Sequence, residues 1–366
     1  MGPLNGIRVI EIAGIGPGPF CGMLLADMGA DVIRIARPAG ARAGVPERFD
    51  LTLRSRPTVV ADLKTEAGRD IVLRLCRRAD ALFEGNRPGV MEKLGLGPGD
   101  CLSVNPCLVY GRMTGWGQEG PLAQTAGHDG NYASIAGAIG AIGDRDGLPA
   151  VPLNLVADYG GGGAYLAIGI LAALIEAGRS GKGQVVDAAM VDGAASLMTM
   201  FYGLFSNGLW ADRRGSNLLD GGAPFYRPYR TADGGHVFVA AIEPRFFAAL
   251  LETAGIDDID PASQMDRSAW PQHARAFERV FATRSRDAWA ALFAETDACV
   301  APVLSLSEAP EHAHNRARHT FVDVDGVTQP APAPRFSRTP SAISSAPGGA
   351  HITFEEALAR WEESDE

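Results

Sequence analysis

Two short glycine-flanked segments carry the residue types of this chain that could do chemistry. The first, GHDGNY at residues 127–132, offers the imidazole of His128. The second, ADYGGGG at residues 157–163, offers the carboxyl group of Asp158. A histidine and an acid that face one carbon from opposite sides could remove a proton from one face and return a proton to the other. That chemistry inverts the configuration of the carbon, and it requires neither a metal ion nor a redox cofactor.

Each candidate also has a structural interpretation. His128 could be hydrogen-bonded within its loop, and Asp158 could N-cap a helix that starts at residues 160–164. Backbone N–H donors at such a helix start could also stabilise an enolate oxygen beside Asp158. A third acid, Glu243 in AIEP, could cap the helix entered at Pro244. Alternatively, Glu243 could accept the other ring N–H of His128 and so fix the tautomer of the imidazole.

Strands that alternate with helices must position these residues. Runs rich in β-branched residues at 7–14, 31–38 and 58–64 predict buried strands, and residues 65–78 predict an amphipathic helix. The segments ADALFEGNRPG and CLVYGRMTGWG continue the alternation. The sequence therefore predicts an α/β fold with a large, doubly wound, parallel-sheet (Rossmann-like) domain. Ligands of such sheets sit at the carboxyl ends of the strands.

The pattern changes after about residue 200 and predicts a second, smaller α+β domain. A strand at 236–242 and helices at 244–254 and 270–281 form this domain, and a Pro-rich segment at 327–342 reads as an extended return linker that precedes a terminal helix from Thr353. We predict that residues 1–200, completed by residues 325–366, form the large ligand-binding α/β domain. Residues 225–315 form the small α+β domain, and residues 201–224 and 316–324 are linkers.

Composition limits the classes of partner. The net charge of −10 and the pI near 5.3 argue against a nucleic-acid or anionic membrane surface. The five cysteines are odd in number and form no CxxC pair, which favours free thiols in a reducing compartment. The N-terminus lacks the pattern of a signal peptide, and the longest apolar run, at 164–175, is too short to span a bilayer. We expect a cytoplasmic protein with no nucleic-acid or membrane partner.

The glycine-rich loop GIGPGPFCG follows a predicted strand and opens a helix, as a dinucleotide-binding loop would. Counting from Gly14 or Gly16, however, places Pro19 or Cys21 where the third glycine is required. The loop is better explained as a tight strand-to-helix turn. A nicotinamide-dependent oxidoreductase is therefore rejected.

Several basic residues of the first quarter lie where predicted strands end. A phosphorylated ligand that lies across strand ends would need such donors, because guanidinium groups bind phosphate in a bidentate manner. Scattered surface charges are the alternative explanation. The set comprises Arg37, Arg54, Arg56, Lys64, Arg87 and Lys93.

Ordered motifs along most of the chain carry a resemblance to a known family. They are GPLNGIRVIEIAGIGPGP, IARP, ADLK, EGNRPGVMEKLGLGP, RMTGWGQEGP, AGHDGNY, LVADYGGGG, GKGQVVDAAMVDG, LDGGAPFY, AIEP and APAPRFSRT. On these motifs the chain resembles the α-methylacyl-CoA racemases of the family III (CaiB/BaiF-like) CoA-transferase group. The histidine of GHD, the NY that follows it and the glutamate of AIEP are the marks of the racemases.

The resemblance implies a role for each matching position. His128 and Asp158 match the acid/base pair on opposite faces of a 2-methylacyl-CoA thioester, and Glu243 matches the group that supports the histidine. The substrate is implied to contact Arg37, Ala61, Asp62, Leu63, Lys64, Gly85, Asn86, Arg87, Lys93, Gly127, Asp129, Gly130, Asn131 and Tyr132. Two positions depart from the family: Lys93 replaces an arginine and loses its fork, and Asn86 replaces an aromatic residue.

The resemblance further implies an interlocked homodimer, in which the small domain of one subunit covers the site of the other. No metal and no cofactor are expected, because CoA is part of the substrate. Two alternatives remain open: a CoA-transferase that uses Asp158 as an acyl-accepting nucleophile, and a non-catalytic CoA-binding module. The acyl group also remains open among branched fatty acyl, sterol side-chain and arylpropionyl thioesters. Candidates for an apolar surface beneath it are Met190, Met198 and Met200.

Overall fold

The β-branched runs of the N-terminal half form strands of one sheet in a computed structural model that describes residues 2–38 and 46–362. Helices occupy the intervening segments. The elements of this half are, in chain order, β1 (Arg8–Ile12), α1 (Pro17–Asp27), β2 (Asp31–Ala36), β3 (Thr58–Val60), α2 (Glu66–Cys76), β4 (Ala81–Glu84), α3 (Val90–Lys93), α4 (Pro98–Val104), β5 (Val109–Thr114), α5 (Asp129–Ile135), α6 (Ala138–Ala141), a π-helix (Leu155–Ala164), α7 (Tyr165–Ser180), β6 (Val185–Ala189) and α8 (Met190–Leu197).

The six strands are parallel and run in the order β3-β2-β1-β4-β5-β6. Their carboxyl ends therefore meet at one edge of the sheet. The order reverses between β1 and β4, and in such sheets this reversal opens a crevice at the carboxyl edge where ligands bind. The predicted α/β class with a parallel sheet is confirmed.

Helices cover both faces of this sheet because successive side chains of a strand point to opposite faces. Ile10 and Ile33 belong to the same buried cluster as Leu75 of α2 and Cys101 of α4. On the other face, Gly111 of β5 provides space for α7, since a Cβ there would lie 2.9 Å from a methyl carbon of Leu166. The sheet is thus doubly wound.

The third strand is shorter than predicted, ending at Val60 instead of continuing to Lys64. A carboxylate oxygen of Asp62 accepts the backbone N–H of Lys64 at 3.0 Å, which turns the chain. The hydroxyl of Thr65 then accepts the N–H of Gly68 at 3.1 Å and caps α2. This turn places residues 61–64 at the carboxyl edge of the sheet.

The π-helix and α7 form one continuous helix, Leu155–Ser180. Within the described residues it is the one helix that is long and apolar enough to cross a membrane, by length and composition alone. The apolar run at 164–175, which we expected to be too short to span a bilayer, is only part of this longer helix. Leu166 and Ile170 are fully buried, and the helix packs on β5, β6 and α1. This packing accounts for the buried apolar residues of the helix, whereas Ile168 and Ile175 are exposed.

The second half of the chain forms a small antiparallel sheet, and its last residues, 313–366, belong to the same unit as the N-terminal half. Its elements are α9 (Thr199–Ser206), β7 (Tyr226–Arg230), β8 (His236–Ala240), α10 (Pro244–Ala254), α11 (Trp270–Phe281), α12 (Arg286–Phe293), β9 (Val300–Pro302), α13 (Ala313–Ala317), β10 (Phe321–Val324), β11 (Val327–Pro330) and α14 (Phe354–Glu362). Strands β7, β8 and β9 form a three-stranded sheet in that order. The buried cluster beside it includes Phe225, Phe247, Phe277, Phe281 and Trp289.

By their internal packing the residues form two units. The first contains residues 1–138, 153–198 and 313–366, and the second contains 139–152 and 199–312. These ranges differ from the predicted domains: the segment 201–224, interpreted as a linker, begins within α9, and the segment 316–324 includes β10. The Gly- and Asn-rich composition that suggested a linker starts only at Asn207. The predicted ranges also include residues 1, 39–45 and 363–366, which lie outside the described residues.

Candidate active site

A cavity of about 830 Å³ opens at the carboxyl edge of the six-stranded sheet. Its wall includes Ile15 after β1, Gly85 after β4, Gly115 after β5 and Met190 after β6. These positions lie on both sides of the point where the strand order reverses. Both His128 and Asp158 line the same cavity, so residues that are 30 positions apart in the sequence meet at one site.

His128 is the N-cap residue of α5, with extended backbone angles. Its backbone N–H donates to the side-chain oxygen of Asn131 at 3.0 Å. The imidazole makes no capping hydrogen bond, and the residue is exposed at the cavity wall. The backbone thus fixes the position of His128 while its ring faces the space that a substrate would enter.

Asp158 lies in the first turn of the π-helix. It therefore does not N-cap a helix that starts at residues 160–164, and that structural interpretation is wrong. The π-helix starts at Leu155, so Asn154 is the N-cap. The amide nitrogen of Asn154 donates to a carboxylate oxygen of Asp158 at 3.3 Å. Burial raises the pKa of Asp158 above its usual range; the Asn154 hydrogen bond opposes this, the charge of Asp129 adds to it, and His128 opposes it.

Gly16 provides the space that the Asp158 carboxyl group occupies. A Cβ at Gly16 would lie 3.1 Å from a carboxylate oxygen of Asp158, and the backbone there has a φ of +68°. Glycine adopts this conformation without a steric penalty. The loop GIGPGP is therefore a tight strand-to-helix turn beside the candidate acid, as predicted.

The glycine run after Asp158 brings the π-helix close to its neighbours. A Cβ at Gly161 would lie 2.6 Å from the backbone nitrogen of Ala194 in α8. A Cβ at Gly163 would lie 2.6 Å from the carbonyl oxygen of Pro17 in α1. Only glycine permits this approach, and it places the first turn of the π-helix at the cavity.

Two of the backbone N–H groups beside Asp158 are already engaged. One carboxylate oxygen of Asp129 accepts the backbone N–H of Ala157 at 2.8 Å and that of Asp158 at 2.7 Å. Open donors occur instead at the start of α5. In the part of the chain that the structure describes, the backbone N–H groups of Asp129 and Gly130 have no hydrogen-bond partner. The expectation that the enolate donors lie near Asp158 stays a prediction.

Four of the predicted basic residues are exposed at or near the carboxyl edge: Arg37, Lys64, Arg87 and Lys93. Across the described ranges, none of the four forms an ion pair. Of the predicted CoA-binding positions, Gly85, Asn86, Arg87, Gly127 and Tyr132 line the cavity. The others lie outside its wall: Arg37, Ala61, Asp62, Leu63, Lys64, Lys93, Asp129, Gly130 and Asn131.

Arg54 and Arg56 are buried ion-pair residues, contrary to the grouping that counted them as phosphate donors. Arg54 makes two hydrogen bonds to the carboxylate of Asp27, at 2.5 and 3.1 Å. Arg56 donates to a carboxylate oxygen of Glu11 at 2.6 Å, and both side chains are fully buried. The acids within the predicted first strand and helix were the signal for this pairing, because buried charges require partners.

These two pairs anchor a segment of the cavity wall. Arg56 also donates to the backbone carbonyl of Thr52, and Phe49, Asp50 and Thr52 line the cavity. Sequence reasoning missed this part of the wall. Its irregular backbone, with two short 3₁₀ turns at Glu47–Phe49 and Leu51–Leu53, has no strong sequence pattern.

Glu84 is another buried acid that sequence reasoning missed. It ends β4, and one of its carboxylate oxygens accepts the backbone N–H of Asn86 at 2.6 Å. Burial raises the pKa of Glu84 to about 7, although Arg112 lies 3.4 Å away. Because Gly85, Asn86 and Arg87 line the cavity, Glu84 orders a loop of its wall.

The remaining candidates have different placements. Glu243 lies in the second unit as the N-cap residue of α10, where its exposed side chain makes no capping hydrogen bond. Glu243 therefore occupies the predicted N-cap position, and its side chain is not used for capping. Of the three methionines, Met190 is buried and lines the cavity, whereas Met198 and Met200 do not line it.

Known proteins share the sequence pattern and the fold of this chain. Residues 4–352 match the family described as CoA-transferase family III. The chain is 46% identical over 343 residues to the alpha-methylacyl-CoA racemase of Mus musculus, covering 93% of this chain and 88% of the relative. It is 44% identical over 341 residues to the alpha-methylacyl-CoA racemase of Homo sapiens, covering 92% of this chain and 87% of the relative.

The fold also matches solved structures. A CaiB/BaiF family protein from Brucella suis superposes with a TM-score of 0.83 at 27% sequence identity, covering 98% of this chain and 99% of that one. The family match spans nearly the whole chain and includes every residue of the cavity wall. The chain belongs to the family III CoA-transferases.

Proposed function

We propose that the chain is a 2-methylacyl-CoA racemase, which interconverts (R) and (S) thioesters by proton transfer at the α-carbon. The observation that carries this proposal is that the imidazole of His128 and the carboxyl group of Asp158 line one cavity. The racemase names of relatives that are 44% and 46% identical to the chain support the same reaction.

The nucleotide part of the substrate would bind to the exposed basic side chains at the carboxyl edge. Arg37, Lys64 and Arg87 follow β2, β3 and β4 and are exposed, which suits donors to phosphate. Lys93 adds charge without a bidentate fork. The acyl chain would then lie against apolar wall residues such as Met113 and Met190.

The proton transfer uses one side chain on each face of the α-carbon. The thioester makes the α-hydrogen acidic; neutral His128 removes it from one enantiomer, and protonated Asp158 returns a proton to the opposite face. The reverse direction exchanges the two roles. A carboxyl group that donates a proton near neutral pH needs a raised pKa, and burial raises the pKa of Asp158. Each transfer group contributes roughly 10²–10⁴-fold in rate.

The enolate formed between the two steps carries negative charge on the thioester oxygen. Backbone N–H groups at a helix start stabilise such an oxygen. The open N–H groups of Asp129 and Gly130 at the start of α5 are the donors that this structure offers, immediately after His128 in the chain. We assign them this role.

Glu243 would support His128 from the small domain of a second subunit in an interlocked homodimer. Its carboxylate is exposed and not engaged in capping, so it remains available to accept a ring N–H. Exposed apolar side chains support burial against another copy, since soluble monomers rarely expose large apolar patches. They include Ile168 and Ile175 in the first unit and Met200, Tyr202, Phe205 and Leu209 in the second.

We further propose that the protein is cytoplasmic and requires no cofactor, and that its acyl group is one of three classes. The reaction involves only acid/base groups and the CoA thioester, so no cofactor or metal is assigned. The five cysteines are all free thiols, which suits the cytoplasm. A panel of branched fatty acyl, sterol side-chain and arylpropionyl 2-methylacyl-CoA thioesters, assayed for α-proton exchange, would rank the substrates.

The alternative function is CoA transfer, with Asp158 as the acyl-accepting nucleophile. The two are separated by incubating one enantiomer of a 2-methylacyl-CoA in D₂O without a second carboxylic acid. A racemase incorporates deuterium at the α-carbon and converts the enantiomer to a mixture. Absence of exchange, together with movement of CoA to an added carboxylate, would refute the proposal and favour the transferase.

A further inference from the structure

Asp129 joins the two turns that carry the candidate acid/base residues. It is the first residue of α5, directly after His128, and 7% of its surface is exposed. Its Oδ1 accepts the N–H of Ala157 at 2.8 Å and the N–H of Asp158 at 2.7 Å. One buried carboxylate oxygen thus connects the start of α5 to the start of the π-helix.

We propose that Asp129 is a positioning residue of the racemase, which sets the separation of His128 and Asp158. This inference rests on the proposed function. The two residues lie on separate chain segments, and among the hydrogen bonds of the described residues none links them directly. Hydrogen bonds to an ionised acceptor are roughly twice as strong as neutral ones. The two bonds to Asp129 therefore hold the turn of Asp158 at a defined distance from that of His128.

Such a defined separation matters because the substrate carbon must lie between the two groups. A misplacement of about 1 Å can cost roughly 10²-fold in rate. This role of the side chain differs from the contact with CoA that the family resemblance implied, and from the proposed enolate contact, which uses the backbone N–H of Asp129. Its carboxylate faces the protein backbone.

The charge of Asp129 has a second effect on the same partner. It helps to raise the pKa of Asp158, after the larger effect of burial. The other groups that face Asp158 are His128, which lowers this pKa, the phenol of Tyr132, and the amide of Asn154, which hydrogen-bonds to it. The second oxygen of Asp129 is buried without a hydrogen-bond partner among the described residues.

Two substitutions separate the hydrogen bonds from the charge. Asp129→Asn keeps an oxygen that can accept both N–H groups but removes the charge. Asp129→Ala removes both. Asp100→Asn is the matched control, because Asp100 also accepts a backbone N–H at the start of a helix, that of Gly97 at 3.0 Å, and lies on α4 away from the cavity wall.

We expect kcat for racemisation to fall by about 10²-fold in Asp129→Ala, from misplacement of the acid/base pair, and by about tenfold in Asp129→Asn, with KM for the acyl-CoA nearly unchanged in both. In Asp129→Asn the limb of the pH–rate profile that reports Asp158 should move to lower pH, because a neighbouring negative charge is lost. Asp100→Asn should match the wild type in rate and profile.

The outcomes are distinguishable. If the wild type shows no α-proton exchange, the proposed function fails before any variant is compared. If the wild type exchanges but Asp129→Ala stays within about threefold of Asp100→Asn, the positioning role is refuted. A rise in KM with kcat intact would also refute it and restore the CoA contact. Should Asp129→Ala fail to fold, an Asp129→Asn variant with wild-type kcat and profile would be sufficient to refute it.

Discussion

Replacing Gly16 with alanine should impair both folding and proton transfer, because the Asp158 carboxyl group lies directly over this glycine. The backbone at Gly16 has a φ of 68° and a ψ of −118°, a region that side-chain-bearing residues rarely adopt. An added Cβ would lie 3.1 Å from a carboxylate oxygen of Asp158 and 3.5 Å from its carboxyl carbon. The carboxyl group would have to move by a few tenths of an ångström.

The magnitudes follow from these two effects. A non-glycine residue held in such a conformation costs on the order of 1–3 kcal/mol, so the free energy of unfolding should fall by about that amount. Displacement of the acid should lower kcat by roughly 10–100-fold, since about 1 Å of misplacement costs about 10²-fold. The loss of rate should persist at temperatures where the variant is fully folded.

The assay is deuterium incorporation at the α-carbon in D₂O, combined with urea unfolding of the same samples. Gly18→Ala is the matched control: Gly18 lies two residues further along, in the first turn of α1, and a Cβ there meets nothing within 4 Å. It should retain rate and stability. If Gly16→Ala exchanges at the wild-type rate, the reasoning that Asp158 must occupy this position is wrong. An equal loss in Gly18→Ala would attribute the effect to the turn in general.

Further outcomes follow from other parts of the structure. Arg54→Met should lower the free energy of unfolding by about 3–5 kcal/mol, because it leaves Asp27 as an unpaired buried charge. Lys64→Ala should leave urea unfolding unchanged and raise KM for the acyl-CoA. Glu84 has a folded-state pKa of about 7, above its ordinary value, so the stability it contributes is present below that ordinary value and is lost as the pH rises through about 7. The wild-type free energy of unfolding should therefore fall more steeply than that of Glu84→Gln between about pH 5 and pH 8, and parallel curves would contradict the assignment. Glu243→Gln should lower kcat by at least about tenfold without changing thermal unfolding, because Glu243 makes no capping bond; a fall in Tm with kcat intact would exclude its support of His128.

The local elements could be predicted well because their periodic patterns are strong. The helices Pro244–Ala254 and Trp270–Phe281 have the predicted bounds, since proline marks each start and a clear apolar face runs along each helix. The third strand ended early because a single side chain, that of Asp62, turned the chain. A hydrogen bond of this kind outweighs β propensity over three or four residues.

Ion pairs and hydrogen bonds between residues far apart in the sequence were harder to predict from the sequence. Arg54 and Arg56 resembled phosphate donors because they flank a predicted strand, yet Asp27 and Glu11 pair with them in the core. Asp129 resembled a substrate contact because it follows His128, yet its carboxylate binds backbone 28 and 29 residues further along the chain. Such pairings depend on how the sheet and helices pack, which spacing in the sequence does not encode.

The central claim, that His128 and Asp158 act on opposite faces of one carbon, is tested most directly with separated enantiomers. His128→Ala and Asp158→Asn are each incubated in D₂O with the (R) and the (S) thioester. We expect both variants to lose interconversion and each to exchange the α-hydrogen of only one enantiomer, the two variants acting on opposite enantiomers. Exchange of the same enantiomer by both variants, or interconversion by either, would contradict the two-face arrangement.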